Sequence, residues 1–404
     1  MCSHASCAAG VVVTRKSIEA LELSRPLRVL QLSRWLSDVG GGVQTYLSSL
    51  QNALDAGDVE LTYAALMPGV QPRYLHSKAR FGRAGRSKFA NACGLWVWLY
   101  RELDHTDVVQ IHGATDWHFL VGALACLRAG VPYIVRPAGG LFPEAFMHTR
   151  RRRILSKIYL KLVGERLLSK ASVVLASSPR ERDLLLGFRV MTEVRLIPNG
   201  VSVPARQPPF MTEFDGKAHV LFMGRVSPIK DIPTLMAAIA TLAKQGWVVA
   251  LDIVGGGAPD YVDELKARAT RLGVSDLVVW HGDKRNAEKQ QLLSRAHVLV
   301  LPSLSENFGF VVAEAMAAGL PVIVSSGVGV AEKVLEYGAG LVFPVGDDEA
   351  LASALAICLD PGDAEGRSQR AYQCASKEFS IEAMGRSLFE LYELAARGEF
   401  GRQR

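Results

Sequence analysis

The sequence predicts two doubly wound α/β domains in tandem, and three observations carry that expectation. The chain has 404 residues, more than one ordinary core accommodates. Short, almost uninterrupted apolar strands alternate with amphipathic stretches along its whole length, the pattern of parallel sheets covered by helices on both faces. Both halves open alike, with a strand, a turn and a helix, first around Gly40–Gly42 and again around Gly224–Lys230. Facing sheets of this kind place their ligands at the carboxyl ends of the strands.

In the first half the expected strands are 27–33, 59–66, 107–113, 132–137, 171–178 and 193–200. The proline-rich and aperiodic "VPARQPPFMTEFDG" (203–216) reads as a linker. The second series is 218–225, 247–257, 277–283, 296–303, 320–326 and 339–346, with helical patterns such as "DIPTLMAAIATLAKQG" between them. The boundaries follow: a tail at 1–26, a first domain at 27–202, the linker, a second domain at 217–378, and a last segment at 379–404. Within that segment 380–398 has helical periodicity and is expected to cross back to the first domain.

Apolar residues make up 49% and charged residues 21%, ordinary for a globular chain. The net charge of +6 suits anionic partners without choosing among them. No aromatic-basic platform accompanies it, so nucleic acid is not an expected partner. The six cysteines are scattered, without C-x-x-C spacing, as in a reduced cytoplasmic protein. The first residues, MCSHASCAAGVVVTRK, have no basic segment before their apolar run and make a poor signal peptide. No stretch reaches the ~18 uninterrupted apolar residues of a membrane span.

Four groups of residues suggest chemistry. In "SENFGFVVAEAMAAGLPVIV" (305–324), Glu306 lies in a loop and Glu314 in the early turns of a helix starting near Gly309 or Phe310. Eight residues of helix would separate them by ~12 Å, too far to share a proton and suited to two contacts along one extended, hydroxyl-rich ligand. Complementing a helix N-terminus is the plainer role for both. In "GRVSPIK", Arg225 and Lys230 flank a turn entering a helix, an arrangement fit for a diphosphate or simply a solvated turn. "GGGVQTYLSSL" (40–50) offers Gly41 and Gly42 before a helix, either a phosphate loop or a flexible turn. It does not fit G-x-G-x-x-G, nor does "VGGGAPD" (254–260), which disfavours a dinucleotide dehydrogenase. His112 ends the strand "DVVQIHG" and should border the cleft with the turn "RPAGGLFPE" (136–144).

Taken together, the chain resembles the family-4 retaining glycosyltransferases of GT-B fold from about residue 27 to about 395. The Glu-x7-Glu signature of Glu306 and Glu314 carries the resemblance, with "LFMGRVSPIKDIPTLMAAI", "LIPNGV", "HVLVLPSLSENFG" and "GGGVQTYLSSL" in matching order. The resemblance implies that Arg225 and Lys230 hold the donor diphosphate and that Glu314 binds the ribose. It implies that Glu306, with the backbone of Asn307, Phe308 and Gly309, holds the donor sugar. His112 would lie near the reacting sugar, and Gly41 and Gly42 near the phosphates. Asp231 replaces the family's usual glycine after the lysine and is expected to act as a helix N-cap, with Pro233 in the first turn.

The substrates implied are a nucleotide sugar and a hydroxyl acceptor, a glycan or lipid-linked intermediate of cell-surface polysaccharide. No Asp-x-Asp pair occurs in the chain, so no cofactor and no essential metal are expected. A sugar-nucleotide 2-epimerase of the same fold and a non-catalytic nucleotide-sugar-binding protein are the alternatives. Residues 148–170, "HTRRRRILSKIYLKLVGERLLSK", carry eight Lys/Arg against Glu165 alone. They read as a basic amphipathic helix, either packed with a solvated face or resting on the anionic inner face of the cytoplasmic membrane.

Overall fold

The computed structural model describes residues 25–36, 42–54, 58–67, 79–81, 88–142, 158–210 and 216–400. The tail up to 24, Gly40 and Gly41, residues 148–157 of the basic segment and 211–215 of the linker lie outside the described residues.

The first half supplies β1 (Leu27–Ser33), β2 (Val59–Ala65), β3 (Ala79–Phe81), β4 (Val108–His112), β5 (Tyr133–Arg136), β6 (Val173–Ala176) and β7 (Val194–Leu196). They form a seven-stranded sheet in the order β3-β2-β1-β4-β5-β6-β7. The second half supplies β8 (Ala218–Met223), β9 (Val249–Val254), β10 (Val278–Gly282), β11 (Val298–Leu301), β12 (Val322–Ser325) and β13 (Gly340–Phe343). Their order is β10-β9-β8-β11-β12-β13. Every recorded pairing is parallel. The expected fold class of two doubly wound domains is therefore present, and β3 is an edge strand that the apolar pattern does not mark.

The near-continuous apolar strands are explained by two-sided burial. In β1, β4, β5 and β6, Val29, Val108, Ile134 and Val173 enter one apolar cluster, while Leu30, Val109, Val135 and Val174 enter another on the opposite face. A strand's side chains alternate between faces, so when both are covered no polar alternation remains. The second sheet and its helices share one large core.

The chain crosses between the halves at two places, and the crossings are tied together. Val201 N–H donates to Phe379 O at 2.7 Å and Ile381 N–H to Val201 O at 3.1 Å. The helix Ile381–Ala396 then begins, capped by Ser380, whose hydroxyl accepts from Ala383 N–H. Its Met384, Leu388, Leu391, Tyr392 and Ala395 recur at helical spacing and pack with Leu27, Tyr46, Leu47 and Leu50 in the core of the first half.

Candidate active site

On the second half, the site begins where β8 ends. Beyond Met223 the chain turns through Gly224, and Val226 N–H donates to Gly256 O at 2.8 Å. The turns after β8 and β9 are pressed together: a Cβ on Gly255 would stand 1.9 Å from the Gly224 carbonyl oxygen, a contact only glycine permits. A short 3-10 turn, Pro228–Lys230, follows and is stitched to the next loop by Leu304 N–H donating to Ile229 O at 2.9 Å. Arg225 is exposed in this turn and Lys230 half-buried.

The turn and the loop bring Lys230 to Glu306, and the ammonium donates to the carboxylate. Glu306 is itself held by its backbone, which gives to Gly327 O and takes from Gly329 N–H, both at 2.9 Å. The helix Phe310–Ala317 starts from Gly309 at φ +99°, and Glu314 lies one turn in. Lys289, from the helix Asn286–Arg295, donates to the Glu314 carboxylate. Each site carboxylate thus meets a lysine, which offsets the cost of half-burying it. Lys289 belongs to no sequence pattern that marks it; its helix reads as a solvated surface helix.

Asp231 occupies the N-cap position, but the expected cap takes a different form. Its backbone is left-handed, at φ +46° and ψ +45°. Its carboxylate accepts from the Thr234 hydroxyl at 2.7 Å rather than making the usual side-chain cap. The left-handed conformation explains why glycine is usual there; asparagine and aspartate are the side chains that best tolerate it. Burial raises the Asp231 carboxyl pKa.

On the first half, His112 closes β4 and is buried. Its neighbour across the ladder is Arg136, the last residue of β5, also buried. The Arg136 guanidinium lies 3.7 Å from the centre of the Tyr46 ring and donates to the Asn199 side chain. His112 Nε2 is 2.8 Å from Gln31 Oε1, and His118 Nε2 is 2.5 Å from the His112 carbonyl oxygen. Burial, then the Arg136 charge, holds the His112 pKa well below the ordinary histidine value; burial likewise lowers that of His118.

That depression has a measurable consequence. Both imidazoles are held neutral in the fold and become protonated once unfolded, near pH 6.5. Below that pH the unfolded chain binds more protons, so stability falls as pH falls from 6.5 toward the depressed values. The slope is at most about 1.4 kcal/mol per pH unit for each histidine. Urea midpoints measured from pH 7 to 5 should fall accordingly, and His118→Gln should show the shallower fall. Equal slopes in the two proteins would contradict the assignment.

The halves meet around Asn307. Its amide lies 2.8 Å from the Ser177 hydroxyl and, with the nitrogen turned toward the carboxylate, 3.3 Å from both oxygens of Glu181. The Glu181 carboxylate, fully buried, also accepts from Gly139 N–H at 2.7 Å and from Ser177 N–H and Oγ–H, both at 2.8 Å. Arg180 donates to the Gly327 carbonyl oxygen. A Cβ on Gly139 would lie 3.0 Å from that of Asn307, and one on Gly42 3.3 Å from the Phe310 ring. The glycine-led helix Gly42–Ala53 therefore starts against the loop carrying Phe308 and Gly309. Glu181 is legible as the third residue of a capping pattern after Ser178, whose hydroxyl accepts from Glu181 N–H; its reach across the cleft is not.

The model of the family described as "Glycosyltransferase Family 4" matches residues 40–203, and that of "Glycosyl transferases group 1" matches 206–373. The two tile both halves on either side of the crossing. The chain belongs to the family-4 GT-B glycosyltransferases. Among relatives of this glycosyltransferase, D-inositol 3-phosphate glycosyltransferase from Xylanimonas cellulosilytica is 28% identical over 404 residues, 91% of each chain. Glycogen synthase from Mycobacterium tuberculosis is 32% identical over 213 residues, 52% of this chain and 50% of that protein. Anabaena Alr3699/HepE in complex with UDP and glucose shares the fold at a TM-score of 0.71 and 20% identity, covering 91% of this glycosyltransferase and 99% of that chain. Sucrose-phosphate synthase from Thermosynechococcus elongatus does so at 0.71 and 21%, covering 91% and 98%.

Proposed function

We propose that this glycosyltransferase moves a sugar, with retention of configuration, from a nucleoside-diphosphate sugar to a hydroxyl of a glycan or lipid-linked acceptor in cell-surface polysaccharide synthesis. One observation carries the reading. Lys230 and Glu306 are paired in the loops that follow β8 and β11, with Arg225 earlier in the same loop as Lys230 and Glu314 in the helix Phe310–Ala317 that follows Glu306. Cations suit a diphosphate and carboxylates suit sugar hydroxyls, the groups that a nucleotide sugar carries.

Breaking the sugar–phosphate bond leaves an oxocarbenium-like sugar and a diphosphate with added negative charge. Lys230, held on Glu306 before the reaction, and Arg225 stabilise that charge, the kind of preorganised electrostatics that dominates such catalysis. Glu306 orients the sugar through its hydroxyls. The acceptor oxygen attacks from the face the diphosphate leaves, and its proton passes to the departing phosphate oxygen. Closure of the halves around Asn307 supplies positioning.

A panel of nucleotide sugars tests this directly. The true donor raises the melting temperature, by about 2.7 kcal/mol of stabilisation at a hundredfold excess over Kd. With an acceptor present, product NMR should show the donor's anomeric configuration retained. An inverted product refutes retention, and donor turnover to an epimer without an acceptor favours the epimerase.

We place the enzyme at the cytoplasmic face of the membrane. No helix among the described residues is long and apolar enough to cross a bilayer. The described end of the basic segment is helical, with a π turn at Leu160–Gly164 running into Glu165–Leu168. Ile158, Leu162 and Met191 are exposed there, and Leu162 and Met191 line a cavity of ≈ 610 Å³ with Lys161, Arg166, Lys170, Arg189 and one acidic residue, Glu165. Apolar side chains ringed by cations suit an anionic leaflet at about 1 kcal/mol per cation. The protein should float with liposomes containing phosphatidylserine and not with neutral ones; no flotation with either removes the membrane contact.

A further inference from the structure

His112 ends a buried chain of side-chain hydrogen bonds that starts on the C-terminal helix. Tyr392, on the helix Ile381–Ala396, donates its hydroxyl proton to Gln110 Oε1 and accepts from Gln31 Nε2 at 3.2 Å. Gln31 Oε1 then faces His112 Nε2 at 2.8 Å. Gln110 Nε2 donates to the Tyr46 hydroxyl at 3.0 Å. Gln31, Gln110, Tyr392, Tyr46 and His112 are all buried, so each bond is made away from competing water. Two amides and two phenols in an otherwise apolar interior cost stability unless their pairing is complete.

The chain has a direction. Gln31 spends its nitrogen on Tyr392 and turns its oxygen to His112, so Nε2 must carry the proton and Nδ1 the lone pair. His112 Nδ1, buried, has no hydrogen-bond partner among the described residues. A buried orphan acceptor is tolerated better than a buried orphan N–H, which favours the same tautomer. The Arg136 charge from β5 disfavours a second proton on the ring.

We infer that Gln31 and Tyr392 are positioning residues: they lock His112 in its Nε2–H tautomer, so that Nδ1 is presented as a hydrogen-bond acceptor for a substrate hydroxyl. The inference rests on the glycosyltransferase reading only for the identity of that hydroxyl. The tie also makes the C-terminal helix part of the site, because a residue 361 positions from Gln31 sets its amide.

The groups facing His112 are Gln31 from β1, Arg136 from β5, His118 from the helix Trp117–Ala129 and Tyr46 from the helix Gly42–Ala53. Among the described residues none of these groups is a carboxylate, so none of them stabilises an imidazolium there. Gln31→Glu supplies one. The protonated ring then carries hydrogen on Nδ1 and loses its acceptor, so activity falls as pH falls through the raised pKa and returns above it.

The test uses the intact protein labelled with ¹⁵N-histidine, with His112→Gln identifying the signal. In the wild type, long-range ¹H–¹⁵N spectra at pH 7.5 should show His112 protonated at Nε2 and bare at Nδ1. Tyr392→Phe should give a mixture of tautomers and about a tenfold lower kcat, with the donor KM within about twofold. Gln31→Glu should show an acid limb in its pH–rate profile that the wild type lacks. A wild-type His112 protonated at Nδ1 overturns the inference without any variant folding, and superposable wild-type and Gln31→Glu profiles overturn it independently. If the tautomer is as stated but no nucleotide sugar is turned over, the functional reading fails and the positioning stands.

Discussion

Glu306→Gln lowers kcat/KM about a hundredfold or more while the melting temperature stays close to the wild type's, and Lys230→Ala does the same. The expected size is that of removing one preorganised group from a charge-stabilising site. The reason lies in their pairing. Lys230 donates to Glu306 across a tight turn and a loop, both pinned by backbone hydrogen bonds. Each therefore sets where the other stands before substrate arrives. On the proposed function, removing the lysine takes away a charge that would grip the leaving diphosphate and frees the carboxylate that would orient the sugar. The pair is partly solvated, so its loss costs little stability. Steady-state kinetics with the identified donor, beside a thermal melt, separates the two effects. Wild-type kcat/KM in both variants would show that the pair has no part in the reaction.

Glu181→Ala has the largest expected effect on stability. Its buried carboxylate accepts three strong bonds, from Gly139 N–H, Ser177 N–H and Ser177 Oγ–H, and faces Asn307 across the cleft. A buried donor left unpaired costs about 1–3 kcal/mol, so the loss is about 3 kcal/mol, or roughly 3–4 °C in melting temperature for a chain of 404 residues. Glu181→Gln keeps the shape and loses only charge assistance, so its fall should be smaller. Activity should fall with stability in Glu181→Ala, because Asn307 loses one of its partners on the opposite half and keeps only Ser177. An unchanged melting temperature in that variant would mean that Glu181 does not hold the halves together.

The architecture was legible because strand and helix patterns are local. Two-sided burial writes itself into β1, β4, β5 and β6 as continuous apolar runs, and the Glu306–Glu314 spacing places one carboxylate in the loop and the other in the helix Phe310–Ala317. The short edge strand β3 has no such signature, since three residues at a sheet margin need no apolar run. What the chain folds into proximity was not legible. Gln31 and Tyr392 sit on elements chosen for packing, and as single residues they read as one polar exception in a strand and one aromatic on a core helix. Their meaning appears only when the C-terminal helix returns across the first sheet. Lys289 hides for the opposite reason: a lysine on a polar helix looks solvated until that helix is set beside Glu314.

The most direct measurement is a crystal structure of the protein with its nucleoside-diphosphate sugar bound. The pyrophosphate should lie between Arg225 and Lys230, with the Lys230–Glu306 pair parted, Glu306 on the sugar hydroxyls and Glu314 on the ribose in place of Lys289. A diphosphate bound away from both cations, with that pair still closed, would contradict the account.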